Sequence, residues 1–591
     1  MVASGAILVA LVFAILFLKY FTWQSISDDE GYFLVSNNGV ANGHRLYNEV
    51  FAFYGPAYYL LAALPLRALR LDWTIEAARW SMVFLTVCAA ALMGVSVRRV
   101  TRVTSFGVAT FAFTALAIGG QSPLHPAYLL LTLASLAVFG CTEVDRSPDS
   151  RLGPALIGVA VGAALLTKIN VGILLAAAVF FAAGPLTSAV AETVRRWTPL
   201  LVAVAFLTLA ARAGTVTNDL LLCMPAIALF SFVTRTQRPT GPRLLMGRVA
   251  GPLVGVFLVC VGAFVVAGSS LSAMFRGIVL EPLSGVNALV VEQPVKKETL
   301  AWLVAICVAA YIAKRASRFL PEARFVVAAL VLANVAAQAL PLALPWDTLV
   351  AATTLVALIA RTPSSVNRMT SRCLASISVL LPLTIYPVAG FGPRDTTLLA
   401  IPAFAFVAIS DSIRLAASES ALGPTRTPLL QRRLTAAVGA TAIAFAVLFS
   451  VTLLDRFRAT WTSMTPVAAS SLVRDVPDES ASLRAMTGHL RANCSNFFSI
   501  PGLNSFYART GWSPPTQINA GSWMFFEADR QAAIVDDLRT VEGLCVLRNA
   551  ERERVWLSNL DEKPGPLRPF LDGATVFIAR SGNYELYRFP K

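Results

Sequence analysis

Apolar stretches long enough to cross a membrane recur along the chain, separated by short polar clusters. The first covers residues 6–21. Others fall near residues 77–97, 103–119, 125–141, 153–167, 171–188, 198–211, 219–234, 249–268, 300–313, 325–340, 346–360, 373–390, 396–410 and 435–453. About 20 apolar residues in a helix cross the roughly 30 Å of bilayer hydrocarbon. Backbone groups in lipid must be paired within their own segment, so these spans are expected to be helices. The pattern predicts an α-helical polytopic membrane protein with about 13–15 transmembrane helices. The first span has no basic n-region and no clean small-residue cleavage site after it. It therefore reads as a retained helix more than as a signal peptide. Lys19 near its far end is placed to snorkel to the interface.

Two stretches break the pattern. Residues 22–76 are polar and aromatic, with a shorter amphiphilic run at 58–71 that contains Pro65. This predicts a loop with interfacial helices lying on the membrane. From residue 455 to the end the chain is more polar, with strand-like runs at 574–579 and 584–589. That length suits a small α/β or α+β domain. The expected organisation is a membrane domain over 1–454, whose first outer loop is 22–76, and a C-terminal domain over 455–591.

Lys and Arg set the orientation. One alternating set of loops carries Arg98, Arg99, Arg102, Arg146, Arg151, Arg195, Arg196, Lys314, Arg315, Arg432 and Arg433 among others. The opposite set, although longer, holds only Arg45, Arg67, Arg70, Lys168, Arg212, Arg276, Lys296, Lys297 and Arg394. The richer set is expected on the cytoplasmic side. That places the N-terminus inside and loop 22–76 outside. With an odd number of spans the C-terminal domain lies outside as well. The expected location is the cell (plasma or inner) membrane, crossed many times.

Composition agrees with a bilayer as solvent. Of 591 residues 56% are hydrophobic and 14% charged, with a mean hydropathy of +0.65. A soluble domain carries roughly 25% charged residues. The net charge of +15 sits in short clusters between apolar spans. That argues for membrane loops and against a nucleic-acid partner. Eight cysteines include no CxxC pair, and His44, His125 and His489 are scattered. No metal cage is evident, and the sequence by itself names no cofactor. A carboxylate together with a lipid phosphate is enough to hold a divalent cation, so that option stays open. Cys494 and Cys545 are the only cysteines of the C-terminal domain. They read either as a disulfide in an oxidising compartment or as two unrelated buried thiols.

The strongest local signal is Asp28-Asp29-Glu30-Gly31-Tyr32, directly after the first span. Three acids in a row beside a membrane are costly if desolvated. They fit a solvated helix end or a reactive site. The sequence then runs through Gly43-His44-Arg45-Leu46-Tyr47-Asn48-Glu49 and Tyr54-Gly55-Pro56-Ala57-Tyr58-Tyr59-Leu60. Further on, Leu124-His125-Pro126 opens one span and Leu165-Leu166-Thr167-Lys168 closes another.

In order and spacing these motifs resemble the GT-C membrane glycosyltransferases, in particular the branch of protein O-mannosyltransferases and aminoarabinose transferases. The resemblance covers the chain to about residue 190 and the later spans only in general character. Leu46 and Glu49 depart from the Pro and Asp usual in the middle motif. The resemblance implies transfer of a sugar from a polyprenyl-phosphate donor to a hydroxyl of a glycan, lipid or protein acceptor, on the outer face and with inversion. It implies Asp29 as general base, with Glu30 orienting it or binding the acceptor, and Asp28 as a solvated neighbour.

A phosphate leaving group needs positive charge more than it needs an acid. Lys168 is the first choice for that cation, then Arg45 and Arg394. Lys168 equally fits a lysine snorkelling at a helix end, and Arg394 a turn fixed by Asp395. His125 fits either a ligand contact or a structural helix start. Tyr32, Tyr54 and Tyr58 offer rings for a sugar or prenyl chain, although Tyr is also common at membrane interfaces for its amphipathic shape. The competing reading is a polytopic transporter or lipid flippase without glycosyl transfer. Transporters usually show internal repeats and charged or broken helices at mid-membrane. The chain has no evident repeat, and its acids cluster in a surface loop.

Overall fold

The computed structural model describes residues 2–22, 28–118, 122–183, 245–281, 368–380, scattered positions over 399–413, 423–467, 470–517 and most of 519–590. The expected spans at 198–211, 219–234, 300–313, 325–340 and 346–360 lie outside the described residues, as do Lys296, Lys297 and Arg394.

The protein is an α-helical polytopic membrane protein with a C-terminal α/β domain. Its membrane part is built from α1 (Val2–Tyr20), α4 (Ile75–Thr101), α5 (Thr104–Ala117), α6 (Ala127–Arg146), α7 (Leu152–Leu165), α8 (Ile169–Ala183), α9 (Leu245–Val266), α11 (Met369–Leu380) and α12 (Gly423–Thr462). Each falls on an expected span. Among the described residues, four helices are long and apolar enough to cross a membrane: those at Ile75–Thr101, Ala127–Arg146, Gly247–Val266 and Gln431–Thr462. Their outward faces expose Phe84, Phe257, Leu258, Val266 and Leu448, side chains suited to lipid. Inward, small residues let backbones meet. A Cβ on Gly94 of α4 would lie 2.7 Å from the carbonyl oxygen of Gly107 of α5. Close contact of this kind takes the place of the hydrophobic drive that is missing between helices in lipid.

Loop 22–76 holds two helices, α2 (Asp29–Ala41) and α3 (Pro56–Leu69). The second matches the expected interfacial run, with Pro56 in its first turn, where proline suits a helix. It turns Leu61, Leu64 and Leu69 outward. The first is a helix where the pattern predicts loop. It carries two glycines and two asparagines, all poor helix formers. Its formation follows from burial, with Tyr32, Phe33, Leu34 and Asn37 all packed inside. A short α10 (Leu271–Phe275) continues as a π-helical turn, Arg276–Leu280.

The last membrane helix, α12, runs past residue 454 to Thr462. Trp461 packs on Phe17, with ring centroids 5.3 Å apart. Beyond it, a two-stranded ladder of β1 (Thr465–Pro466) and β2 (Arg474–Asp475) leads into the C-terminal domain. There β3 (Asn496–Ile500), β4 (Leu544–Asn549), β5 (Val576–Ser581) and β6 (Tyr584–Arg588) form one sheet in the order β3-β4-β6-β5. The β3–β4 pair is parallel and the others are antiparallel.

Alternation along the strands makes two cores. Phe497, Cys545, Leu547 and Leu586 pack with residues of α13 (Pro477–Asn493) and α14 (Ser505–Thr510). Phe498, Ile500 and Val546 pack with residues of α15 (Ala528–Arg539) and α17 (Leu567–Asp572). A further helix, α16 (Ala550–Leu557), follows β4. Cys494 and Cys545 are joined by a disulfide.

The domain sits against loop 22–76. The N–H of Arg474 donates to Phe21 O at 2.9 Å. Glu76 Oε1 accepts from Ser470 Oγ (2.8 Å), Ser471 N (3.0 Å) and Leu472 N (3.2 Å). Arg530 donates to both oxygens of Glu281, at 3.0 and 2.8 Å.

Candidate active site

Two of the motifs meet through backbone. The Tyr54-Gly55-Pro56 turn docks on the turn that precedes Lys168. Gly55 N donates to Thr167 O (2.8 Å) and Ala57 N to Leu166 O (3.0 Å). A Cβ at position 55 would stand 2.0 Å from Leu166 O, so only glycine allows this approach. Lys168 is thereby brought beside Tyr54, its Nζ 5.5 Å from the ring centroid. Burial lowers the Lys168 pKa to about 8, which leaves the ammonium charged at neutral pH.

Tyr54 is the hub. Its hydroxyl lies 3.1 Å from His125 Nε2. His125 Nδ1 accepts from Ala127 N at 3.1 Å, so the neutral ring carries its proton on Nε2 and donates it to Tyr54. Burial, and then the charge of Lys168, push the His125 pKa down to about 3. The ring therefore stays neutral in the physiological range. Burial, and then the charge of Asp29, push the Tyr54 phenol well above its usual value. The charge of Asp29 thus reaches the phenol that His125 and Lys168 contact. The carbonyl of Tyr54 is itself held by the Tyr47 hydroxyl at 2.6 Å.

Asp29 and Glu30 open α2, and they face different surroundings. Asp29 is half-buried. Glu30 is buried and pairs with Arg79 of α4, Oε2 to Nη2 at 2.7 Å. Arg79 also donates to the carbonyls of Tyr20 and Thr22. It therefore ties the end of α1, the start of α2 and the start of α4 together. Loop charges alone pass over Arg79. The signal for it is an arginine inside the expected span 77–97, since an ionisable residue at membrane depth is costly and seldom idle.

Asp28 is not the solvated neighbour expected from the sequence. Its Oδ2 accepts from Ser505 N of α14 at 2.7 Å, and its Oδ1 is buried without a hydrogen-bond partner. Burial raises its pKa to about 7, against the lowering effects of the Ser505 N–H, Arg552 and Arg509.

The remaining expected residues are placed as follows. The Tyr32 hydroxyl donates to Phe51 O (3.1 Å) and accepts from Phe53 N (3.1 Å). The Tyr58 hydroxyl donates to Leu124 O (2.6 Å) and accepts from Asn37 Nδ2 (2.9 Å). Both tyrosines are buried, so their polar ends hold the loop together. Arg45 is exposed and paired with Glu49 at 2.7 Å, closing the turn over 45–50. Arg394 lies outside the described residues. Among the described residues no three His, Cys, Asp or Glu side chains converge into a metal cage.

The structure thus brings Tyr54, His125 and Lys168 together, from three separate motifs, and the charge of Asp29, from a fourth, acts on the Tyr54 phenol. A desolvated ammonium stands over one phenol, beside an imidazole fixed in one tautomer, and the charge of a half-buried carboxylate reaches that phenol. Such a set can take a proton and hold an anion.

No protein-family model matches the chain, and no curated protein matches it. Among solved structures, ArnT from Cupriavidus metallidurans in the apo state is similar over 99% of this chain and 97% of its own, at 14% identity and a TM-score of 0.43. The oligosaccharyltransferase AglB from Archaeoglobus fulgidus, solved with an inhibitory peptide and a dolichol-phosphate, is similar over 99% of this chain and 74% of its own. Its identity is 12% and its TM-score 0.40.

Proposed function

We propose that the protein transfers a sugar from a polyprenyl-phosphate donor to an acceptor hydroxyl, on the extracytoplasmic face of the membrane. The observation that carries this reading is the placement of Lys168 and His125 against Tyr54, where the charge of Asp29 also acts. The motif order from residue 28 to 168, with its resemblance to GT-C enzymes, supplies the reaction type.

In this reaction the acceptor hydroxyl gives its proton to Asp29 as its oxygen attacks the anomeric carbon. The bond from that carbon to the phosphate oxygen breaks, and polyprenyl phosphate leaves with the electron pair. One displacement inverts the anomeric centre. A positioned carboxylate base contributes typically about 10²–10⁴-fold. Lys168 meets the charge that grows on the leaving phosphate, in a buried place where a fixed cation is worth more than in water. Neutral His125 fixes the Tyr54 hydroxyl by donating to it, which leaves the phenol proton available to the substrate or to Asp29. Glu30 acts through Arg79, holding the start of α2.

Asp29→Asn keeps size and hydrogen bonding but accepts no proton at neutral pH. Sugar transfer by the purified protein in nanodiscs should fall about 100-fold or more, with donor binding retained. Asp28→Asn should cost about tenfold at most, well short of Asp29→Asn. Full transfer by Asp29→Asn overturns the mechanism. A complete lack of sugar transfer by the parent, with lipid movement across the bilayer, would favour the transporter or flippase reading.

A further inference from the structure

We propose that Arg509, supplied by the C-terminal domain, is a positioning residue of the site: its guanidinium holds the carboxylates at the start of α2, and through them Asp29, in place. The inference rests on the reading of Asp29 as the base and adds a partner that the membrane domain does not contain.

Three observations place Arg509 there. The first is the approach of α14 to α2. A Cβ on Gly31 would stand 2.0 Å from Ser505 N, so the two backbones touch at the glycine that follows the acidic pair. The second is the bond from Ser505 N to Asp28 Oδ2 at 2.7 Å. The third is register within α14. Arg509 lies four residues after Ser505, and residues four apart share one helix face. Arg509 therefore stands on the side that α14 turns toward α2.

Arg509 is only 2% exposed, in a molecule whose outer surface would readily take an arginine. Buried arginine is costly unless negative charge faces it. Asp28 and Glu30 are the negative charges acting on it most strongly. Oδ1 of Asp28 and Oε1 of Glu30 are buried without hydrogen-bond partners, so nearby positive charge is what offsets their ionisation.

The surrounding charges come from several of the elements packed here. Asp28 is faced by Arg509, by Arg552 of α16 and by Tyr584 of β6. Glu30 is faced by Arg79 and Arg509. On the tail side, Glu479 of α13 accepts from Tyr584 Oη at 2.6 Å and lies 3.9 Å from Arg552. Asp475 of β2 feels Arg509, Arg552 and Glu479. Within this network Arg509 is the cation that faces both carboxylates flanking Asp29.

The test compares Arg509→Met and Arg509→Lys with the parent, as full-length protein in nanodiscs. In Arg509→Met, kcat should fall about tenfold with donor KM unchanged, and the acid limb of the kcat profile should move up by about one pH unit. Arg509→Lys keeps the charge and should hold that limb in place. A Met profile that superimposes on the parent, or a Lys profile shifted as far as Met, overturns the inference. If Arg509→Met does not fold, Asp28→Asn/Arg509→Met removes both charges and should restore folded yield. Failure of the double variant to do so overturns the inference too.

The coupling is also read without turnover. The pH at which thermal stability falls should rise by about one unit in Arg509→Met, and an unmoved curve counts against the inference. An inert Asp29→Asn beside a parent-like Arg509→Met would sink this inference alone. An active Asp29→Asn would sink the base assignment alone, leaving the stability curve to decide Arg509.

Discussion

Glu30 of α2 and Arg79 of α4 form an ion pair at 2.7 Å, with both side chains almost fully buried. Breaking a buried pair from one side leaves an uncompensated charge and costs about 3–5 kcal/mol. Arg79→Met should therefore lower the melting temperature of the detergent-solubilised protein more than Arg79→Met/Glu30→Gln does. Equal melting points for the single and double variants would show that the pair is not what joins α2 to α4.

Lys168→Ala should weaken donor use more than Lys168→Arg. A guanidinium partly replaces an ammonium facing phosphate, although the two cations are not interchangeable. The measurement is kcat/KM for a lipid-linked sugar, with the acceptor saturating. Gly55→Ala should copy the Ala variant from a distance, because the new methyl would displace the Leu166–Thr167 turn that carries Lys168. Identical donor dependence for the Ala and Arg variants would make Lys168 an interface anchor and no more.

Stability should fall as pH rises from about 4 to about 7. Asp28 has a folded-state pKa of about 7, above its ordinary 3.8. The folded state thus binds more protons than the unfolded state in that window. The stabilisation is fully present below about pH 4 and is lost as pH passes through 7. Asp475, raised to about 6 chiefly by burial, acts in the same direction. Melting curves from pH 4 to 8 should flatten in Asp28→Asn. A parent-like slope in that variant would move the effect elsewhere.

Loop 22–76 and the C-terminal domain should label from the same side of the membrane. Asn42 and Gly488 are both exposed, and the two regions touch at Asp28 and Ser505. Cysteine introduced at either position should react with an impermeant maleimide added outside intact cells. Labelling at Gly488→Cys alone, or at neither, would reverse the orientation read from Lys and Arg.

Hydropathy alone located α1, α4 to α9 and α12, because whether a segment sits in lipid depends on its own side chains and little else. The interfacial helix α3 was legible for the same reason, from Pro56 and its leucines. The motifs were legible as chemistry: Asp29, Tyr54, His125 and Lys168 are the residue types that proton transfer and phosphate binding need. The meeting of Lys168 with Tyr54 was decided by packing, through a glycine at 55 that admits the Leu166 carbonyl. Helix α2 was illegible, since two glycines and two asparagines argue against a helix and only burial under α14 and against Arg79 overrides them. Asp28 shows the limit most sharply. In sequence it is one more acid in a polar run, free to be solvated. In the folded protein it accepts from Ser505, 477 positions away, and no local pattern encodes a partner at that separation. Composition determined which solvent each segment meets, and tertiary contact determined which charges meet one another.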